Sequence, residues 1–210
     1  MIPCFGQLLK IKREKMQNLS QQHELFKAPP AIYHDFLAFE EKISQLAQTM
    51  KINLADFQID HMSIRVNTDD MAKSWLTSLL KCGKILSDNT VNGRVIYLIQ
   101  LDNPILFMGQ FIDVVELPFP KNKCYPIESW EHIEIVMPFL FKESTVEWVE
   151  RIQNQFLWNQ SNKLSVKVDE PKVDGEQLPN PSIAVSFANN LQNHTCIKVH
   201  PFHIRDIIKV

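Results

Sequence analysis

No stretch of this sequence approaches the run of about 18 apolar residues that a membrane-spanning helix needs, so a transmembrane protein is not expected. Paired cysteines are missing too. Cys4, Cys82, Cys124 and Cys196 are scattered, with no CxxC pair for a zinc knuckle or redox motif, and this usage fits free thiols in a reducing cytoplasm. Neither sign of charge dominates: 22 Lys and Arg against 24 Asp and Glu give a formal net charge of −2, with no general field to draw nucleic acid or anionic lipid. One dense basic cluster, at 10–15, reads as a solvated tail. The first fifteen residues lack the basic start, apolar centre and small-residue cleavage site of an export signal, and Met1 and Met16 both stand as initiators. What is present is globular in character, 210 residues with 45% hydrophobic and 22% charged side chains, enough for one substantial core.

After the tail, Ile32, Phe36, Phe39, Ile43, Leu46 and Met50 recur every three or four residues with charges between them, the pattern of an amphipathic helix. This helix is expected as an N-terminal extension, within residues 1–58, packed against the first of two modules. Residues 59–120 and 121–210 read as one module twice. A strand at 60–66 leads through the cap and acidic turn Thr68-Asp69-Asp70 into a helix carrying Met71, Trp75, Leu79 and Leu80, ended by Gly83. Strands at 84–86, 95–101 and 111–117 come next, with Asn92-Gly93 as a hairpin turn. In the second module a strand at 131–137 precedes a helix carrying Val146, Val149, Ile152 and Phe156, with strands near 164–168, 182–187 and 195–200. Trp75 and Trp148 take similar places in the two helices. The connection between modules holds Pro118, Pro120 and Pro126.

The repeat also has a chemical side. Asp60-His61 and Glu131-His132 open the first strand of each half, and Glu116 and His200 stand in the last strands. Alternation puts His61, Ser63 and Arg65 on one face against Met62, Ile64 and Val66, and His132 and Glu134 against Ile133, Ile135 and Met137. Val114 shares a face with Glu116, and Lys198 with His200. A polar sheet face turned to water is the ordinary explanation of any one of these groups. Three of seven histidines and a glutamate at matching strand positions point instead to a metal site shared between the halves, with His61, Glu116, His132 and His200 as ligands. Imidazole and carboxylate suit Zn, Fe, Mn, Co or Ni, and a set without cysteine is unlike a structural zinc site.

The duplicated strand, helix and three strands resemble the vicinal oxygen chelate superfamily of glyoxalases, extradiol dioxygenases, epimerases and bleomycin-binding proteins. More narrowly, VNGRVIYLI (91–99), VVELPFP (114–120), YPIESWEHIEIVMP (125–138), LPNPSIAV (178–185) and IKVHPF (197–202) resemble the bacterial YecM family, a group expected to bind metal and with no assigned reaction. The likeness covers roughly residues 32–208. It implies an α+β fold in which two βαβββ modules form a curved mixed sheet or partly open barrel around a central cavity. It also implies metal ligands at His61, Glu116, His132 and His200, where His200 departs from the glutamate that many superfamily members supply. A third imidazole leaves the ion more electrophilic and removes a carboxylate base.

With that carboxylate gone, Glu134 is the candidate base or outer partner of an imidazole, and a salt bridge with Arg65 or Lys198 is its structural alternative. Arg65 is the candidate group for a substrate carboxylate or enolate, with Ser63 as a hydrogen-bond donor. Turn geometry accounts for Asn92-Gly93-Arg94 and 178–181, and packing for Tyr125 and Trp130. The expected protein is cytoplasmic and holds a divalent transition metal and a small oxygen-bearing substrate or ligand. No nucleic-acid or membrane partner is expected, and association of two copies is left open. Isomerase, lyase and dioxygenase chemistry all fit, as does a noncatalytic binding module.

Overall fold

A computed structural model describes residues 20–91, 93–121, 123–170, 178–189 and 193–208. The basic cluster at 10–15, Cys4, Met16 and Asn92 lie outside the described residues. Each half of the chain runs strand, helix, strand, strand, strand. The first comprises β1 (Gln58–Arg65), α2 (Asp69–Leu79), β2 (Gly83–Val91), β3 (Arg94–Phe107) and β4 (Gln110–Pro118). The second comprises β5 (Ser129–Val136), α3 (Thr145–Phe156), β6 (Leu164–Asp169), β7 (Ser182–Phe187) and β8 (Cys196–His200). Helix α1 (Tyr33–Met50) precedes them and one short turn of helix, α4 (Ile204–Ile207), closes the order.

Local chemistry sets the helix ends. Thr68 accepts a hydrogen bond from the Met71 amide to start α2, and Ser144 and Glu147 cap α3 reciprocally. Gly83, expected to stop α2, instead opens β2. The helix ends at Leu79 with Leu80 still right-handed, and a Cβ at position 83 would lie 2.4 Å from the Gln100 carbonyl oxygen, so close strand approach requires this glycine. Strands β2 and β3 are longer than expected; β3 continues past a register irregularity between Gln100 and Ile105 that accommodates Pro104.

The eight strands form one sheet in the order β2-β3-β4-β1-β5-β8-β7-β6. Pairs β1·β4 and β5·β8 are parallel and the remaining pairs antiparallel, so the expected mixed sheet is present. It is curved and open, because its end strands β2 and β6 do not pair with each other. The halves meet at the antiparallel pair β1·β5.

Alternation decides the two faces. Met62, Ile64, Val115, Ile133, Ile135 and Ile197 turn outward to the helices and are fully buried. Helix α1 lies over the seam and reaches onto β5 and β8 of the second module, with Phe36 against both Phe107 and Trp130. The first-module docking expected for it is therefore only part of its contact. Trp75 and Trp148 sit fully buried in the two modules, each costing on the order of 3 kcal/mol or more if truncated to alanine. On the inner face, α4 folds back to pack Ile204 and Ile207 against Leu98 and Val114, and Arg205 pairs with Asp113 at 2.7 Å.

Candidate metal centre

The register explains which side chains meet. Ser63 stands opposite Glu116 on β4 and opposite His132 on β5, while His61 faces Glu134. The imidazole Nε2 of His132 lies 3.2 Å from Glu134 Oε1 and 3.9 Å from Glu116 Oε1, and that of His61 lies 3.6 and 3.9 Å from the same two side chains. One donor atom from each of His61, Glu116, His132 and Glu134 falls within 4.8 Å of the other three. Among the sequence candidates, His61, Glu116 and His132 are thus brought together, and Glu134 joins them.

His200 stands outside this group. In the parallel pairing of β8 with β5, Lys198 is opposite Glu134 and His200 opposite Val136. Superposing the halves by register, with His61 on His132, makes Lys198 the counterpart of Glu116 and places His200 two residues further on. His200 Nε2 approaches Asp60 at 3.1 Å and its Nδ1 approaches Glu134 at 3.5 Å. With Asp60 and His61 it makes a second, smaller donor group.

The acids that precede the two histidines were not given a role by alternation, which assigns neighbouring residues to opposite faces. Two β-bulges change that. Asp60 is the extra residue between the pairs Ile59–Ile135 and His61–Glu134, and Glu131 the extra residue between Ser63–His132 and Ile64–Trp130. Each acid thereby reaches its neighbour: Asp60 Oδ1 lies 2.9 Å from His61 Nδ1, and Glu131 Oε2 lies 3.0 Å from His132 Nδ1. An ionised carboxylate only accepts, so Nδ1 is the protonated nitrogen in both rings and Nε2 is left to face the shared space. Asp60 also accepts from the Ile204 amide at 2.7 Å, tying α4 to the site. The sequence signal for this pair was the acid-histidine doublet itself.

Electrostatics derive from burial among opposite charges. Burial works against ionisation of Glu131, yet the His132 hydrogen bond and charge and Arg65 bring its pKa down to about 2. Asp60 is likewise lowered against burial, by His61 and His200. Burial disfavours charge on His61, but Asp60 and Glu134 raise its pKa well above that of a free imidazole. Glu116 and Glu134 are lowered, despite burial, chiefly by Lys198, while Glu134 repels Glu116. Lys198 bonds Glu134 at 2.8 Å, the structural alternative weighed for that glutamate, and Ser63 donates to Glu116 at 2.7 Å. Arg65 is engaged by Glu131 through Nε and Nη2 and lies 4.4 Å from the centre of the Tyr125 ring. Cys196 is opposite His132, but burial, with Glu131, pushes its thiol up to about 12 and keeps it protonated, outside the donor set.

The donor set fits a divalent ion. The Nε2 atoms of His61 and His132 are fully buried without hydrogen-bond partners, and they face two carboxylates that repel each other. His61, Glu116 and Glu134, with His200 beside them, border a cavity of about 540 Å³ on the inner face of the sheet, lined also by Arg65, Leu98, Lys198 and Ile204. Among the described residues no helix is long and apolar enough to cross a membrane.

Comparison with known proteins places these features in a family. The family model described as YecM protein matches residues 28–210. An uncharacterised protein of Haemophilus influenzae is 59% identical over 85% of this chain and 93% of its own length, and Protein YecM of Escherichia coli is 34% identical over 84% and 90%. A structural-genomics structure, Protein EC4020, superposes with a TM-score of 0.72 at 30% identity, covering 90% of this chain and 94% of its own.

Proposed function

The chain belongs to the YecM family, and from that premise we propose that it is a divalent-metal-binding protein of the vicinal oxygen chelate type, acting on a small oxygen-bearing substrate. The observation that carries this reading is the pair of orphaned, buried Nε2 atoms of His61 and His132 facing Glu116 and Glu134. In this reading those four side chains hold the ion, and His200 stands beside it as a neighbour of Asp60. An ion there would supply Lewis-acid polarisation of a carbonyl or stabilisation of an enolate.

The chain's own groups prepare the site. Asp60 and Glu131 fix the tautomer and orientation of the two imidazoles. Lys198 offsets the charge of Glu134 and Glu116 on the cavity wall, and Arg65, held by Glu131, keeps its remaining N–H groups near the substrate space. The lowered pKa of Glu134 suits a ligand better than a general base. The same property favours a second reading, in which the cavity holds metal and ligand without turnover. Free thiols at Cys82, Cys124 and Cys196 support a reducing compartment, the cytoplasm.

Metal analysis of protein purified without an affinity tag or chelator tests the site. On the order of one equivalent of a transition metal is expected, and less than about a tenth of an equivalent of every such metal sinks the proposal. Turnover assays of loaded protein on dicarbonyls, catechols and hydroxy acids then separate enzyme from binder: isomerisation, cleavage or oxygenation supports the first reading, and saturable binding without product supports the second.

A further inference from the structure

The cavity wall is basic although the chain as a whole is not. Six of its lining residues are cationic, Arg65, Arg94, Lys121, Lys123, Lys167 and Lys198, against the carboxylates Glu116, Glu134 and Asp169, in a chain of formal net charge −2. Three of the cations have carboxylate partners: Arg65 with Glu131, Lys198 with Glu134 and Lys167 with Asp169. Among the described residues, Arg94 and Lys123 have none; Lys123 only overlies the Tyr125 ring, at 4.7 Å. Two unneutralised cations bordering one concave space favour an anion within it.

Their position relative to the candidate metal centre sets a length. Leu98 on β3 is opposite Glu116, Ile96 is opposite Pro118, and Arg94 lies two residues further along the same face. Leu98, Ile96 and Arg94 therefore form a path of about 13 Å from the metal-facing carboxylate outward, apolar for its first part and cationic at its end. The connection between the modules contributes Lys123 to the same lining. We propose that the cavity takes a two-ended ligand: an oxygen-rich head at the metal-facing carboxylates and, on the order of 10 Å away, a phosphate or carboxylate tail held by Arg94 and Lys123. The head end rests on the metal reading above; the tail end rests on the two cations alone.

Gluconate, glucarate and 6-phosphogluconate share a hydroxy-acid head and differ in the last group, so they isolate the tail. Calorimetric titration of the zinc-loaded protein should show 6-phosphogluconate, glucarate or both binding about tenfold or more tightly than gluconate, with the preference shrinking as salt rises. Preference for 6-phosphogluconate alone identifies a phosphate tail, and equal gains for both identify any terminal oxyanion. The double variants Arg94→Gln/Lys123→Gln and Arg94→Glu/Lys123→Glu should abolish the preference, the second reversing it, while zinc content and gluconate affinity stay unchanged. Equal affinity for all three ligands in the wild-type protein, or a preference that survives both variants, overturns the tail site. If the protein takes up no zinc, the metal reading fails by that measurement. The tail is then judged on the metal-free protein, where 6-phosphogluconate or glucarate must still out-bind gluconate in a way that depends on Arg94 and Lys123.

Discussion

In the first half of the sheet the carboxylate beside the shared site stands on the last strand, as Glu116, and its hydrogen-bond donor, Ser63, stands on the first. In the second half the order is exchanged: Glu134 is on the first strand and its donor, Lys198, on the last. What the halves hold in common is the doublet of acid and histidine, Asp60-His61 and Glu131-His132, each with its acid in a bulge. A duplicated scaffold thus fixes positions more firmly than identities. Each half needs one carboxylate and one donor to it, and two adjacent positions on paired strands can be filled either way round.

The largest effect should come from the imidazoles. His61→Ala and His132→Ala should each lower zinc affinity by more than the roughly 10–100-fold typical of losing an outer partner, by similar amounts if the halves are equivalent; competition with a chromogenic chelator measures both. His200→Ala should change it far less, and a loss as large as that of His132→Ala would return His200 to the ligand set. Next come the bulge acids. Asp60→Asn and Glu131→Gln should each weaken zinc binding roughly 10–100-fold, but only Asp60→Asn should also loosen α4, because Asp60 alone accepts from the Ile204 amide. Hydrogen exchange of that amide reads the difference.

Smaller contrasts lie behind the sheet. Trp148 donates to the Met137 carbonyl at 2.7 Å, so Trp148→Phe should cost about 1–3 kcal/mol through the unsatisfied carbonyl, visible in urea unfolding as more than the cost of Trp75→Phe. Equal losses would mean that packing, not this bond, distinguishes the two tryptophans. Smallest are the helix starts. Thr68→Ala should cost about 1 kcal/mol, and Ser144→Ala should exceed it in the same assay, because α3 has a reciprocal cap and α2 a single one.

Much of this organisation was legible in the chain. Alternation of His61 and Ser63 with Met62 and Ile64, and of His132 and Glu134 with Ile133 and Ile135, assigned the sheet faces, and helical periodicity placed all three long helices, with a cap at Thr68 marking the start of α2. What stayed hidden depends on pairing between distant strands. The endings VELPF and VHPF look equivalent in sequence, yet the parallel register aligns Glu116 with Lys198 and leaves His200 two residues out. Bulges are equally silent, since no local property of Asp60 or Glu131 marks it as unpaired. Gly83 reads as a helix stop until Gln100 of the neighbouring strand is in place.

The bulges bear on how such a face can be crowded with chemistry. A regular strand offers one side chain to a given face every 6.8 Å or so; the extra residue puts two consecutive side chains on it, doubling the local density of functional groups. It does so without rephasing the rest. Ile59 and His61 keep facing Ile135 and Glu134, so deleting Asp60 would leave a regular ladder with every other side chain on its present side. An outer acid can therefore be gained or lost by inserting or removing a single codon, with the strand pairing and the outward-facing apolar positions kept.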